Sequence, residues 1–214
     1  MSNRKETTIT RIILVRHGQT EWNRVERFRG RADVPLNEVG LAQAQAAGRR
    51  IVATWQPVAV HASPLSRAVR TAEAIAGPLG LPVALAPDLV DIDYGQWQGL
   101  TPDEARQRWP DEVQAWYEAP HTARIPGGET LAALQARAMA AVGELAARYE
   151  GQTIVLVSHT VVNRAILLRA LGAGLACFWR LRQDNGALNI LEVENKGFTL
   201  VTMNDTCHLQ AGPM

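Results

Sequence analysis

The chain contains few cysteines, and its histidines are not spaced like metal ligands. Cys177 and Cys207 are the only two cysteines among 214 residues. Two cysteines are too few for a disulfide framework or a typical zinc site. The five histidines show no H-x-x-x-H or H-x-H spacing. We therefore expect no bound metal and no other cofactor.

An excess of charge of one sign is also absent, and so are long apolar runs. The 22 Lys and Arg residues nearly balance 21 Asp and Glu residues, which gives a formal net charge of +1. This balance predicts neither a nucleic acid nor a membrane as partner. No apolar run reaches the roughly 20 residues that span a bilayer, and residues 1–8 lack an apolar signal core. We expect residues 1–8 to be a disordered tail and the protein to be cytoplasmic.

Lysine is nearly missing, since only Lys5 and Lys196 accompany the arginines. Arginine is favoured where a planar fork must bind an anion through two hydrogen bonds. A GC-rich genome would produce the same bias, so composition alone does not decide between these explanations.

Short, continuous apolar runs predict strands that are buried on both faces, as in a parallel sheet. These runs are followed by helical patterns, and the first predicted helix begins at Asn37 as its N-cap. A further helix is expected to open at Ser63-Pro64, with proline at its first position. The predicted strands are 9–16, 58–62, 81–85 and 153–158, and a closing hairpin joins 188–193 to 198–203. The predicted helices are 37–55, 63–77, short helices within 101–118, a long helix from 131 to about 149, and 160–171.

This alternation predicts a three-layer α/β/α sandwich with a mostly parallel sheet. No repeat or linker divides the chain, so we expect a single domain over residues 1–214. The tryptophan-containing segment at about 92–127 is interpreted as a small helical cap inserted into it.

Ionisable residues follow several of these strands. Arg16 and His17 come directly after the first strand, and His159 comes directly after another. Arg67 lies in the first turn of the helix after a third, and Asp91 opens the loop after the short strand at 81–85. Because ligands bind at the carboxyl ends of parallel strands, we expect these side chains to meet in one crevice. The helices behind Ser63 and His159 would point backbone N–H groups at it, which favours an anion.

Two arginines, two histidines and one carboxylate are well suited to phosphate chemistry. Arg16 and Arg67 can each bind two phosphoryl oxygens through their guanidinium forks. A neutral imidazole has a lone pair that can attack phosphorus. The departing alkoxide needs a proton, which a carboxylic acid with a raised pKa can supply.

Several ordered motifs make the chain resemble a known family. The stretch Arg16-His17-Gly18-Gln19-Thr20-x-Trp22-Asn23 resembles the signature of the histidine phosphatase superfamily, the cofactor-dependent phosphoglycerate mutase-like proteins. Further matching segments are Phe28-Arg29-Gly30-Arg31-x-Asp33-x-Pro35-Leu36-Asn37, Ser63-Pro64-Leu65-x-Arg67, Asp91-x-Asp93-x-Gly95-x-Trp97-x-Gly99, Pro126-Gly127-Gly128-Glu129 and Val157-Ser158-His159. The resemblance as a whole spans about residues 11–192.

The resemblance implies a role for each matching position. His17 would be phosphorylated, and Asp91 would donate a proton and later activate water. Arg16, Arg67 and His159 would line the phosphate pocket, and Asn23 would add a hydrogen bond.

The activity expected from this site is metal-independent hydrolysis of a small phosphomonoester through phospho-His17. A phosphoglycerate mutase with the same site is the alternative, and a non-enzymatic protein that binds a phosphorylated ligand is a third interpretation. The physiological substrate stays open, and so does the oligomeric state, for which a homodimer is one option.

Two positions depart from the family pattern. Many relatives carry Glu where this chain has Asp91, which leaves Asp93 and Glu129 as rival acids. The family often has Gly-Gly or Gly-Ala after its second histidine, whereas this chain has Thr160-Val161. The hydroxyl of Thr160 could therefore contribute to the pocket.

Overall fold

The computed structural model describes residues 8–195 and 197–210, so the tail expected at residues 1–8 lies outside the described residues apart from Thr8. The six strands are β1 (Thr10–Arg16), β2 (Ala59–Ala62), β3 (Val83–Leu85), β4 (Thr153–Ser158), β5 (Leu188–Glu194) and β6 (Gly197–Asp205). They form one sheet in the order β3-β2-β4-β1-β5-β6. The pairings among β3, β2, β4 and β1 are parallel, and β5 and β6 are antiparallel to their neighbours. The predicted mostly parallel sheet and the closing hairpin are therefore confirmed.

Both faces of the central strands are covered. In β1, Ile12 and Leu14 belong to one apolar cluster, whereas Ile13 and Val15 belong to a second. Since successive side chains of a strand point to opposite faces, each face of the sheet has its own core. This arrangement explains why the sequence of β1 shows no alternation of apolar and polar residues.

Helices form the two outer layers. They are α1 (Glu21–Arg24), α2 (Glu38–Thr54), α3 (Ser66–Ala76), α4 (Pro102–Arg108), α5 (Pro110–Glu118), α6 (Leu131–Arg148) and α7 (Thr160–Ala170). Helices α2 and α3 pack together over one core, while α6 and α7 pack together over the other. The three-layer sandwich is thus confirmed. Asn37 is the N-cap of α2, as expected, and its side chain accepts a hydrogen bond from the Gly40 N–H at 2.9 Å.

The predicted start of α3 is wrong. The helix begins at Ser66, two residues after Pro64, and proline is not at its first position. The N–H of Ser63 instead donates to the carbonyl of Val157 in β4 at 3.0 Å, so Ser63 still extends the strand ladder. Residues 63–65 therefore form a bend between strand and helix. The short helix α1 was not predicted, because four residues are too few to show a helical period.

The segment at 92–127 contains α4 and α5 and packs through large aromatic side chains. Trp97 and Trp116 are fully buried, with ring contacts to Phe28, Tyr94 and Phe178. These residues belong to the same apolar cluster as β1 and α6. Trp97 and Trp116 are therefore packing residues. No helix in the described ranges is both long and apolar enough to cross a membrane.

The loop that carries Asp91 is tied to α6 by the guanidinium group of Arg137. Its nitrogens donate to the carbonyl oxygens of Asp88 at 2.7 Å, Val90 at 2.8 Å and Asp91 at 3.2 Å. The same group makes two hydrogen bonds to the carboxylate of Glu129, at 2.7 and 2.8 Å. The side chains of Arg137 and Glu129 are only 17% and 12% exposed. One buried ion pair therefore holds the main chain on both sides of Asp91.

Two glycines allow the loop after β1 to lie directly on the start of α2. A Cβ atom at Gly40 would overlap the carbonyl oxygen of Gln19, and one at Gly18 would overlap that of Gly40. Because the atoms that block both positions belong to the backbone, no side-chain rotation could relieve the clash.

We expect Gly40→Ala to lower the free energy of unfolding by about 2–3 kcal/mol, because the loop after His17 would have to move. Gly143→Ala is the matched control, since Gly143 is an exposed helical glycine with no atom near its Cβ position. That change should raise the free energy of unfolding by up to about 1 kcal/mol through helix propensity. Urea denaturation of both variants measures the difference, and equal stabilities would refute the proposed close approach.

We expect Arg137→Met to destabilise the protein by about 3–5 kcal/mol, because it leaves the carboxylate of Glu129 buried without its main partner. Arg106→Met removes a comparable ion pair with Asp103 at the surface, where the two side chains are 52% and 85% exposed. This control should cost less than about 1 kcal/mol. If thermal or urea unfolding shows the same small loss of stability for both variants, the contacts of Arg137 with Glu129 and the Asp91 loop do not stabilise the fold.

Candidate active site

The two histidines meet because β1 and β4 are parallel neighbours in register. Arg16 at the end of β1 pairs with Ser158 at the end of β4, so His17 and His159 emerge side by side. The N–H of His17 donates to the carbonyl of Ser158 at 3.0 Å. The two imidazole rings lie 5.1 Å apart between centroids and are inclined at 58°. The sheet thus brings the two histidines together, as expected from sequence.

Hydrogen bonding identifies which nitrogen of His17 is free to react. Nδ1 lies 2.6 Å from the carbonyl oxygen of Gly18. Since a carbonyl oxygen can only accept, Nδ1 must carry the proton. Nε2 is then left with the lone pair, and it is the nitrogen that can act as a nucleophile.

Both imidazoles are held in the uncharged form. His17 and His159 are buried, and burial lowers the pKa of each well below its usual value. The positive charge of Arg67 is the next cause for both histidines, and Arg16 and Arg29 act in the same direction. The lone pair of His17 therefore stays available through neutral pH.

Arg16 and Arg67 are buried cations whose hydrogen bonds go mainly to backbone carbonyls. Arg16 donates to the carbonyl of Gln183 at 2.5 Å, and burial lowers its pKa to about 9, which still leaves it charged at neutral pH. Arg67 donates to the carbonyls of Gly30 and Ala32, each at 2.8 Å. The Nε atoms of both arginines are buried and have no partner within the described ranges. Such unpaired donors suit an anionic ligand.

Asp91 is the carboxylate that reaches Arg67 and the second histidine. Its Oδ2 lies 3.3 Å from Nη2 of Arg67 and 3.8 Å from Nδ1 of His159. Burial raises the pKa of Asp91, while the positive charges of Arg67 and Arg29 oppose this shift. Burial prevails, so a larger fraction of this carboxyl group is protonated near neutral pH than in water.

The two rival acids are engaged elsewhere. The carboxylate of Asp93 accepts from the N–H of Gly95 at 2.8 Å and lies 3.4 Å from Arg31. Glu129 is bound by Arg137 and lies 3.7 Å from Arg31. Neither makes a hydrogen bond to His17, His159, Arg16 or Arg67 within the described residues, whereas Asp91 contacts Arg67 directly.

Ser63 is a site residue that sequence reasoning did not single out for a role. Its hydroxyl accepts from the N–H of Leu65 at 3.4 Å and lies 2.7 Å from Nε2 of His159. A hydroxyl has one proton and two lone pairs, so Ser63 can hold the His159 ring through Nε2 in either tautomer. Nδ1 is buried and without a hydrogen bond in the described ranges. It lies 3.8 Å from Oδ2 of Asp91.

The beginning of α7 adds further donors at the same place. His159 is the N-cap residue of this 11-residue helix, so its first N–H groups are directed toward the crevice. The hydroxyl of Thr160 is buried and has no partner in the described part of the chain. The Thr-Val pair after the second histidine therefore places a hydroxyl where the usual glycine would provide none.

Asn23 lies beside the loop that carries His17. Its side-chain oxygen accepts from the N–H and the hydroxyl of Thr20, each at 2.9 Å. The amide nitrogen of Asn185 lies 3.4 Å from the same oxygen and donates to the carbonyl of His17 at 3.2 Å. The Asn23 oxygen is thus fully engaged, which orients its amide N–H groups away from Thr20. Asn185 is a further residue without a sequence signal, since it precedes β5 far along the chain.

Arg29 is a third arginine at the site. Its Nη1 donates to the carbonyl of Trp22 at 3.1 Å, and its buried Nε has no partner in the described ranges. Its charge lowers the pKa values of His17, His159 and Asp91. The motif that contains Arg29 was recognised, but nothing in its spacing assigned the side chain to the pocket. Among the described residues, no group of three or more His, Cys, Asp or Glu side chains is arranged to hold a metal.

Comparison with known proteins places this geometry in a family. Residues 12–206 match the model of the histidine phosphatase superfamily (branch 1). Phosphoserine phosphatase 1 of Hydrogenobacter thermophilus is 35% identical over 201 residues, which cover 94% of this chain and 95% of that protein. The metal-independent phosphoserine phosphatase of Arabidopsis thaliana is also 35% identical, covering 96% of this chain and 86% of the relative.

A mutase and a solved structure are similar as well. The 2,3-bisphosphoglycerate-dependent phosphoglycerate mutase of a Methylobacterium species is 38% identical over 167 residues, which cover 73% of this chain and 78% of the mutase. The structure of Bacillus stearothermophilus YhfR superposes with a TM-score of 0.90 at 32% identity, covering 94% of this chain and all of that one. The chain belongs to the histidine phosphatase superfamily.

Proposed function

We propose that this protein is a metal-independent phosphatase that hydrolyses a small phosphomonoester through a phosphohistidine intermediate on His17. The observation that carries the proposal is the state of this imidazole. Its Nδ1 donates a hydrogen bond to the carbonyl of Gly18, so the lone pair is on Nε2. The ring also lies near guanidinium groups whose buried Nε atoms have no hydrogen-bond partner within the described residues.

In the first step, the Nε2 lone pair of His17 forms a bond to phosphorus while the ester P–O bond breaks. The electron pair of that bond goes to the departing oxygen, which takes the proton of the Asp91 carboxyl group. The products are phospho-His17, the free alcohol and an Asp91 carboxylate.

In the second step, water attacks the phosphorus of phospho-His17, and the Asp91 carboxylate takes a proton from that water. The N–P bond breaks, and its electron pair returns to Nε2. Inorganic phosphate leaves, and both His17 and Asp91 recover their starting forms.

Arg16, Arg67 and His159 stabilise the negative charge on the phosphoryl oxygens during both transfers. The arginine side chains are largely held by backbone carbonyls rather than by carboxylates, so their charge remains available. Because the groups are already buried and oriented, little reorganisation is needed as charge moves. Asn23 supplies an additional donor at the edge of this pocket.

Asp91 can begin the cycle as an acid because burial raises its pKa. A bound phosphomonoester dianion brings further negative charge close to the carboxyl group, which raises the pKa again. The shorter side chain is compatible with the role, since Oδ2 already reaches Arg67 at 3.3 Å.

Phosphoserine is the first substrate to test. Two relatives that match nearly the full chain are named phosphoserine phosphatases, and one of them is named metal-independent. We also propose that the chain is a single domain in which residues 92–127 act as a small cap, and that it works in the cytoplasm, in keeping with its two free cysteines. A homodimer remains a prediction for light scattering to test.

Phosphoglycerate mutase activity is the second candidate, because a mutase is 38% identical over most of the chain. It would use the same phosphohistidine but return the phosphoryl group to a sugar-acid acceptor instead of water. The balance between the two outcomes depends on how long the alcohol stays in the pocket relative to attack by water.

We expect the purified protein to hydrolyse phosphoserine in the presence of EDTA and to carry an acid-labile phosphate during turnover. His17→Ala should lower the rate by at least about 10³-fold and abolish the trapped phosphate, because the nucleophile is gone. The measurements are phosphate release and rapid acid-free trapping of labelled enzyme.

Three outcomes would contradict this assignment. Loss of activity in EDTA would exclude the metal-independent mechanism. Rapid isomerisation of 3-phosphoglycerate that depends on a bisphosphoglycerate primer would favour the mutase. Failure to label His17 with any activated phosphoester would favour a protein that only binds a phosphorylated ligand.

We expect Asp91→Asn to slow hydrolysis of an alkyl phosphate such as phosphoserine by about 10²–10⁴-fold, because the departing alkoxide receives no proton. With p-nitrophenyl phosphate the first step should be nearly unaffected, since nitrophenolate leaves without protonation. The variant should then give a burst of one nitrophenolate per site followed by slow turnover, and Asp91→Glu should retain much of the activity. Equal losses for both esters, without a burst, would show that Asp91 is not the proton donor.

A further inference from the structure

Arg29 contributes positive charge to the site, but no step of the proposed phosphoryl transfer uses its hydrogen-bond donors. Neighbouring arginines on the same loop are paired with carboxylates, Arg27 with Glu104 and Arg31 with Asp93. Arg29 has no carboxylate within ion-pair distance in the described ranges. Its one hydrogen bond joins Nη1 to the carbonyl of Trp22. Within the described residues the buried Nε has no hydrogen-bond partner, which leaves the Nε–Nη2 edge of the guanidinium open to a ligand.

The fold fixes this arginine next to the phosphate pocket. The carbonyl of Gly30, the residue after Arg29, accepts from Nη2 of Arg67 at 2.8 Å. Gly30 also lies against the carbonyl of Ile92, the residue after Asp91, where a Cβ atom would come within 2.8 Å. Arg29 is thus attached to a loop that touches both Arg67 and the acid-bearing loop.

The charge of the pocket exceeds what a phosphate ester can neutralise. Arg16, Arg29 and Arg67 contribute three positive charges, and both histidines are uncharged. Asp91 must be protonated to act as the acid. A phosphomonoester dianion carries close to two negative charges at neutral pH. A phosphomonoester dianion therefore matches the charges of Arg16 and Arg67, and a further anionic group on the substrate would be attracted to Arg29.

Depth separates the roles of the three arginines. Arg16 is 7% exposed and Arg67 is fully buried, whereas Arg29 is only partly buried. The two deep arginines flank the histidines and so meet the phosphoryl group. Arg29 is the most exposed of the three, so we expect it to meet the part of the substrate that extends outward from phosphorus.

We propose that Arg29 binds a carboxylate on the alcohol portion of the substrate and so makes the enzyme selective for carboxylated phosphomonoesters. This inference rests on the proposed phosphatase function. A carboxylate matches the free Nε–Nη2 edge, because its two oxygens can accept two parallel hydrogen bonds. Arg29 is then a specificity-determining residue rather than part of the phosphoryl-transfer machinery.

The test compares two esters that differ only in the carboxylate, O-phospho-L-serine and O-phosphoethanolamine. For the wild-type protein, kcat/KM should be at least tenfold higher for phosphoserine. In Arg29→Gln this value should fall by about 10–100-fold for phosphoserine, through loss of a charged hydrogen-bond pair, and by less than about threefold for phosphoethanolamine. Arg29→Lys should lie between the two, because it keeps the charge but loses the fork.

Arg24→Gln is the matched control. It removes a positive charge from the same region of the chain, but Arg24 is 67% exposed and paired with Glu21. Its ratio of kcat/KM values for the two esters should equal that of the wild type. Thermal melts of all variants show whether each is folded.

An equal loss for both esters in Arg29→Gln would mean that Arg29 binds the phosphoryl group, and a wild type without preference would also refute the proposal. Binding to His17→Ala separates this test from the test of the enzyme itself. If phosphoserine raises the melting temperature of that protein more than phosphoethanolamine does, and Arg29→Gln removes the difference, the carboxylate site exists even if hydrolysis does not occur. If the enzyme hydrolyses phosphoserine but the two esters shift the melting temperature equally, the phosphatase proposal stands and the carboxylate-site proposal is refuted.

Discussion

Burial of several guanidinium groups next to two uncharged imidazoles is the constraint on which the rest of the site depends. Cations placed together away from water repel one another, and each loses hydration. The same repulsion opposes protonation of His17 and His159, which lowers their pKa values. A pocket built to attract an anion therefore also keeps its nucleophile unprotonated.

The partners of these arginines explain how the fold tolerates such a cluster. Arg16 is held by the carbonyl of Gln183, and Arg67 by the carbonyls of Gly30 and Ala32. A carbonyl oxygen satisfies donors and fixes the side chain without cancelling its charge. Carboxylates would hold the arginines as firmly but would compete with a phosphate. Within the described residues, Asp91 is the one carboxylate within ion-pair distance of either arginine, and the shorter ion pair of Arg137 with Glu129 lies behind its loop.

The sequence was informative where function depends on regular structure. Continuous apolar runs identified β1 and β4, and residues that directly follow such strands must lie at the same edge of the sheet, which is why His17 and His159 could be placed together. Arg67 could be placed by its position in the first turn after β2, although the exact start of that helix was wrong because Ser63 continues the strand ladder.

Residues on loops were harder to place, because their positions depend on contacts between distant parts of the chain. Arg29 belongs to a recognised motif, yet its orientation is set by its hydrogen bond to the carbonyl of Trp22 and by the hydrogen bond from Arg67 to the carbonyl of Gly30. Asn185 reaches His17 across 168 positions of sequence. Neither periodicity nor residue type reports such contacts. The choice among Asp91, Asp93 and Glu129 likewise required the observed partners of each carboxylate.

The central position of β1 also has a consequence for the order of events during synthesis. This strand leaves the ribosome well before its two neighbours, β4 and β5, which begin at residues 153 and 188. Contacts of such long sequence separation form late and make folding slow. The nascent chain must therefore carry an unpaired strand with the apolar run Ile12–Val15 until β4 and β5 have been made. The environment of His17 can therefore form only after β4 has been made, because the residue next to it, His159, directly follows that strand.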